Sequence, residues 1–192
     1  MRVLFFCSRF FPFKGGLENF VFELSKRLVK FGCDVGVVTL MTEPKTKHYE
    51  VIDGIKVYRF PCKELVKGTY DTPDFLSHKY GVMCDMVHFE KWDFFVSNTR
   101  FFITSTWCAV LAKKYGKKHI HIEHGCSFVQ HENKLIQLMA WFYDQTLGRY
   151  CISSASLVIG IGSKCCEFAK KLGAKRTEIV YNSIDHLFWS RK

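Results

Sequence analysis

Short apolar runs of strand length alternate with helical patterns along almost the whole chain, and that rhythm constrains the fold more than any other feature. The runs cover residues 3–7, 35–40, 55–60, 94–97, 119–123, 157–161 and 178–181. Strands separated by helices pair in parallel, because a parallel neighbour requires a long crossover and a helix supplies it. The expected fold is α/β: a Rossmann-like three-layer α/β/α domain with a mostly parallel sheet. Between the first two runs, Leu17, Phe20, Val21, Leu24, Leu28 and Phe31 recur at steps of three and four, leaving Lys26, Arg27 and Lys30 toward water. Gly32 reads as the left-handed stop of that helix. A second helix is expected over 101–115, ended by Gly116, and a longer one from 133 to about 152. Residues 41–52, with Pro44, read as a polar surface connection into an Asp53-Gly54 turn, and Pro61 and Pro73 bracket an irregular stretch.

No repeat, low-complexity tract or interior linker divides the 192 residues, so a single domain over 1–192 is expected. An apolar content of 48% supports a sizeable core. The formal charge of +10, from 28 basic and 18 acidic residues, favours phosphates, anionic lipid head groups or nucleic acid without choosing among them. No nucleic-acid-binding module is recognisable, and the aromatics follow core periodicity. Nine cysteines form no C-x-x-C pair and read as reduced core residues. Residues 3–7 are too short for a secretory core, and no apolar run approaches the ~20 residues of a membrane span. A cytoplasmic protein, touching a membrane at most peripherally, is the expectation.

Three segments carry candidate chemistry. After the first run comes SRFFPFKGGLEN, where Gly15 and Gly16 let backbone approach a ligand at a helix start. A plain strand-to-helix turn explains the pair equally well. HIHIEHG sets His119, His121 and Glu123 on one strand face and His124 at its carboxyl end, where open α/β sheets place ligands. His124 is therefore the functional candidate, while His119 and His121 read as polar core or surface residues. Zinc bound by these histidines and a cysteine would follow no familiar ligand spacing. Glu123 could orient an imidazole, accept sugar hydroxyls or pair with a base. Arg100, just after another strand, could reach a phosphate, a carboxylate or a neighbouring acid. The helix KLIQLMAWFYDQTLGRY is apolar over more than one stripe, which reads as a buried helix, with an interfacial membrane role as the alternative.

In order along the chain, FFPFKGGLENFVFELSKRLVKFGCDVGVVT, IDGIKVYRFP, NTRFFITS, IHIEHG, ASLVIGIGSKCCEF and IVYNSID resemble the N-terminal domain of glycosyltransferase family 4. Members of that family have the two-domain GT-B architecture and transfer a sugar from a nucleotide-sugar with retention, commonly without a bound metal or other cofactor. The resemblance implies that Gly15 and Gly16 lie in the interdomain cleft near the donor phosphate and the acceptor, that Glu18 and Arg100 line the same side, and that His124 contacts the transferred sugar near the reacting carbon, with Glu123 as a further candidate for binding substrate. The acceptor would be a glycan, a lipid-linked carrier or a small molecule. It also implies a donor-binding C-terminal half, which this chain lacks, so that the partner half would be separate or missing and activity alone would be poor. A non-catalytic sugar-, nucleotide- or anionic-membrane-binding module is the alternative. The absence of G-x-G-x-x-G disfavours a nicotinamide-binding domain. Asn182-Ser183 stands where the family usually has Asn-Gly, and Asn98 where it often has histidine.

Overall fold

The computed structural model describes residues 1–43, 46–66 and 70–182. In chain order the elements are β1 (Arg2–Phe6), α1 (Gly16–Lys30), β2 (Asp34–Leu40), β3 (Tyr49–Ile52), β4 (Ile55–Phe60), β5 (Cys62–Val66), β6 (Tyr70–Pro73), α2 (His78–Val87), β7 (Phe94–Asn98), α3 (Ile103–Lys114), β8 (Lys118–Glu123), α4 (Lys134–Tyr143), α5 (Arg149–Ser154), β9 (Leu157–Gly160), α6 (Ser163–Lys171) and β10 (Thr177–Ile179). Eight strands form one sheet in the order β10-β9-β8-β7-β1-β2-β4-β3, parallel throughout except for β3 against β4. The expected Rossmann-like α/β fold is borne out.

Successive residues of β1 point to opposite faces, and each face is covered. Leu4 and Phe6 enter a core with Phe60, Phe89, Phe95 and Trp107, under α2 and α3. Val3 and Phe5 enter another with Val21, Val37, Val57 and Ile122, under α1. Burial on both faces is why the strands read as continuous apolar runs rather than alternating ones. Phe6 packs edge-on against Trp107 at 5.7 Å, and burying such a ring contributes about 1.5–3 kcal/mol. Gly32, at φ +78°, ends α1 as the sequence suggests, and Asp53-Gly54, at φ +49° and +81°, makes the tight β3–β4 hairpin.

Gly36 is a close-approach glycine. A Cβ there would lie 2.5 Å from Trp92 Cη2 and 2.8 Å from Leu4 Cδ1. Gly36→Ala is expected to cost about 1–3 kcal/mol by overpacking, read as a fall in the thermal unfolding midpoint of about 2–12 °C. An unmoved midpoint would show that the core yields there without strain.

Several sequence expectations need correction. Within the polar connection, residues 49–52 form the edge strand β3, whose alternately exposed and half-buried residues carry little apolar signal. The stretch between the prolines holds the β5–β6 hairpin. The long helix is α4 joined to α5 through a π-helical turn, Asp144–Gly148. It is not buried: Leu135, Leu138, Met139 and Phe142 are 60–64% exposed. Pro44 and Ser183 lie outside the described residues. Among those described, no helix is long and apolar enough to cross a membrane.

Candidate functional site

Strand order reverses between β1 and β7, since the chain runs outward through β2 and β4 on one side and through β8, β9 and β10 on the other. The crevice outside the carboxyl ends of such strands is where open α/β sheets bind ligands. The loop after β1 and the start of α1 form one wall. Gly15 is the N-cap of α1 in extended conformation, and no side chain caps the helix. The first-turn amides therefore have no partner within the helix. A Cβ on Gly15 would collide with the Glu18 carboxylate, which folds back over the loop, whereas one on Gly16 would meet nothing within 4 Å. Arg59 anchors the loop from β4: although only 2% exposed, it donates through Nη2 to Phe11 O at 2.6 Å and pairs with Glu50. Arg9 pairs with Asp71 at 3.1 Å, tying the loop to β6.

The ends of β7 and β8 form the other wall. Thr99 follows β7 at φ +59°, a strained conformation for a β-branched residue. Both polar atoms of the buried Asn98 amide lack a hydrogen-bond partner among the described residues, as does His124 Nε2. The His124 ring packs edge-on against Phe20 of α1, with centroids 5.0 Å apart. That contact brings the two sequence-selected motifs together. Burial holds the His124 imidazole below its ordinary pKa even though Glu123 pulls the other way, so the ring is neutral at neutral pH.

Arg100 and Glu123 do not face the crevice. They are 3% and 0% exposed, and Arg100 Nη1 donates to Glu123 Oε1 at 3.1 Å. Arg100 also grips Asp144 through Nε at 2.9 Å and Nη2 at 3.0 Å, and donates to Ser127 O at 2.9 Å. Burial opposes its charge, but Glu123 and Asp144 outweigh that and raise the guanidinium pKa. Burial likewise pushes Glu123 up, yet His121, Arg100 and the Gly125 amide leave its carboxyl below the usual range. The expected ligand contacts of Arg100 and Glu123 are thus replaced by internal ones. Both residues hold the His124 loop, with Gly125 N donating to Glu123 Oε1 at 2.7 Å.

Sequence reading missed Asp144, Arg59 and Phe20. Asp144 did leave a signal, as the lone carboxylate inside an apolar helical run. Arg59 left none, because its partners, the Glu50 carboxylate and the carbonyls of Lys47 and Phe11, lie 9 to 48 residues away.

The carboxyl-end crevice at a strand-order reversal, with a Gly-Gly helix start on one side and a histidine-glycine loop on the other, defines the ligand side of a Rossmann-type α/β domain. Residues 14–186 match the model of Glycosyltransferase Family 4, and the chain belongs to that family. It is 28% identical over 190 residues to an uncharacterized glycosyltransferase of Methanocaldococcus jannaschii, covering 96% of this chain and 48% of that protein. It is 27% identical to the GDP-mannose:cellobiosyl-diphosphopolyprenol alpha-mannosyltransferase of Komagataeibacter xylinus, covering 96% of this chain and 44% of that one. The chain thus spans about half the length of the curated relatives it matches. Among solved structures, sucrose-phosphate synthase from Thermosynechococcus elongatus superposes with a TM-score of 0.66 at 16% identity, over 95% of this chain and 48% of that one. Anabaena HepE in complex with UDP-glucose gives 0.60 at 15% identity, over 96% and 44%.

Proposed function

We propose that this chain is the acceptor-side half of a nucleotide-sugar-dependent retaining glycosyltransferase, completed by a donor-binding half, and that its acceptor is lipid-linked. The observation that carries the reading is the crevice itself: free amides of α1 beside Gly16, with an unpartnered, neutral His124 against Phe20. A neutral imidazole offers the sugar a hydrogen bond without repelling the positive charge that develops at the anomeric carbon as the bond to the diphosphate breaks. The Glu18 carboxylate over Gly15 disfavours a phosphate on that wall and suits an acceptor hydroxyl. No cofactor enters, because the nucleotide-sugar is itself the donor. A lipid-linked acceptor accords with the diphosphopolyprenol substrate of the Komagataeibacter relative, with the exposed apolar face of α4 and with the net charge of +10, which together suit peripheral contact with an anionic membrane.

The test uses a two-domain protein in which a donor-binding half follows this chain. His124→Ala is expected to lower kcat/KM for transfer about 100-fold or more while moving the unfolding midpoint by under about 2 °C. Gly16→Ala, which fills open space, is expected to leave stability unchanged but weaken acceptor use. Transfer unchanged in both variants would remove the crevice from the chemistry, and no transfer by the unsubstituted two-domain protein would leave a non-catalytic binding module.

A further inference from the structure

Below the crevice, three side chains with no part in the proposed transfer meet in the core. His119 and His121 project from one face of β8, Cys151 enters from α5, and all three are buried. One ligand atom from each lies within 4.8 Å of the others. Cys151 Sγ is 3.5 Å from His121 Nδ1. Tetrahedral zinc, with Zn–S near 2.3 Å and Zn–N near 2.0–2.1 Å, separates sulfur and nitrogen by about 3.6 Å, so this pair already has coordination spacing. Ser97 Oγ hydrogen-bonds His119 Nε2 at 2.8 Å and His121 Nδ1 at 2.7 Å and lies 3.9 Å from Cys151 Sγ, so an ion entering here takes over both imidazole contacts from this hydroxyl and moves it outward as a fourth neighbour.

The surroundings match a metal site as well as the donors do. His121 Nε2 faces Glu123 Oε2 at 3.3 Å, and a carboxylate on the far ring nitrogen fixes which nitrogen meets a metal. His119 also lines a cavity of about 310 Å³ between α3 and α5, with Lys113, Lys117, Tyr150 and Ser154, so a cation approaching from that side passes two lysines. Two imidazoles and a thiolate select a borderline-soft cation over magnesium or calcium.

We propose that His119, His121 and Cys151, with Ser97 as fourth neighbour, form a buried structural site for zinc or a zinc-like divalent cation. Binding forms the metal–sulfur bond as the Cys151 thiol gives its proton to solvent, with no change of oxidation state. The ion would clamp β8 to α5 and so steady the strand that ends in Glu123 and His124.

The test takes the full chain, treated with chelator and then titrated with Co²⁺ or Zn²⁺. Cobalt is expected to saturate at one equivalent with four-coordinate visible bands and a thiolate charge-transfer band. Excess zinc, about a hundredfold over its Kd, should raise the unfolding midpoint by about 5–10 °C. X-ray absorption of the zinc-loaded chain should show one sulfur, with nitrogen or oxygen as the remaining neighbours. Cys151→Ser should abolish the charge-transfer band, and Cys126→Ser, which removes the exposed thiol, should leave it intact. Unsaturable cobalt with an unmoved midpoint would overturn the proposal, as would a band that survives Cys151→Ser. If Cys151→Ser fails to fold, absorption on the unsubstituted chain decides: one sulfur sustains the site, and none or several sinks it.

Discussion

Replacing Arg100 with methionine is expected to lower the thermal unfolding midpoint by about 6–20 °C, the largest stability effect of any single substitution considered for this domain. Removing one partner of a buried ion pair costs about 3–5 kcal/mol, because the other charge stays in a low-dielectric site without compensation. A domain of this size converts each kcal/mol into roughly 2–4 °C. Here two carboxylates would be stranded, since Arg100 serves both Glu123 and Asp144, and its guanidinium also lies 4.5 Å from the centre of the Phe168 ring. Arg100→Lys keeps the charge but loses the bidentate grip, so an intermediate fall is expected. Removing both ends of one pair should be gentler than removing one: Arg100→Met with Asp144→Leu should recover part of the loss, because Glu123 keeps His121 and the Gly125 amide. An Arg100→Met midpoint within about 2 °C of the parent would mean that the guanidinium is not structural, and would restore it as a ligand-binding candidate.

The same ion pair sits just past the carboxyl end of α4, in the π-helical turn. Leu135, Leu138, Met139 and Phe142 recur at helical spacing and form an apolar stripe, yet that stripe faces solvent. The buried positions are Ala140 of α4 and Asp144 and Gly148 of the π-helical turn that follows it. Asp144 must meet Arg100, and the small residues on either side let the helix approach.

The sequence makes visible what local periodicity controls. Strands buried on both faces announce themselves as apolar runs, and Gly32 and Asp53-Gly54 carry their backbone demands in their residue types. Strand alternation also put His119, His121 and Glu123 on one face, and His124, just after that strand, packs against Phe20 of α1. What stayed hidden depends on long-range pairing. Nothing near Arg100 reveals that Asp144, 44 residues later, will claim it. Nothing in residues 133–143 says which side of an all-round apolar helix meets water. β3 escaped because an edge strand needs only one apolar neighbour to hold it.

The outward stripe of α4 leads to the second large effect, on membrane binding. The segment 133–143 contains no acidic residue, Lys134 and Arg149 flank the apolar helix, and the chain carries +10 overall. A helix of this kind lies in the head-group region with its apolar side chains among the upper acyl chains. Vesicles containing anionic lipid are therefore expected to co-sediment with the chain, and raised salt should weaken binding by screening the basic charge. Substituting Leu138→Ser and Phe142→Ser together removes two side chains worth about 1.5–3 kcal/mol each when buried, so the partition coefficient should fall about 100-fold or more. Because both side chains are at least 60% exposed, the unfolding midpoint should barely move, which separates lost binding from lost structure. Equal recovery with neutral and anionic vesicles, or unchanged sedimentation of the double variant, would sink the membrane assignment. A concentration-dependent doubling of mass that the double variant abolishes would instead assign the face to a second copy of the chain. If binding behaves as expected, the outward apolar face of α4 would hold the crevice of His124 and Gly16 near a bilayer surface, within reach of a sugar carried on a lipid.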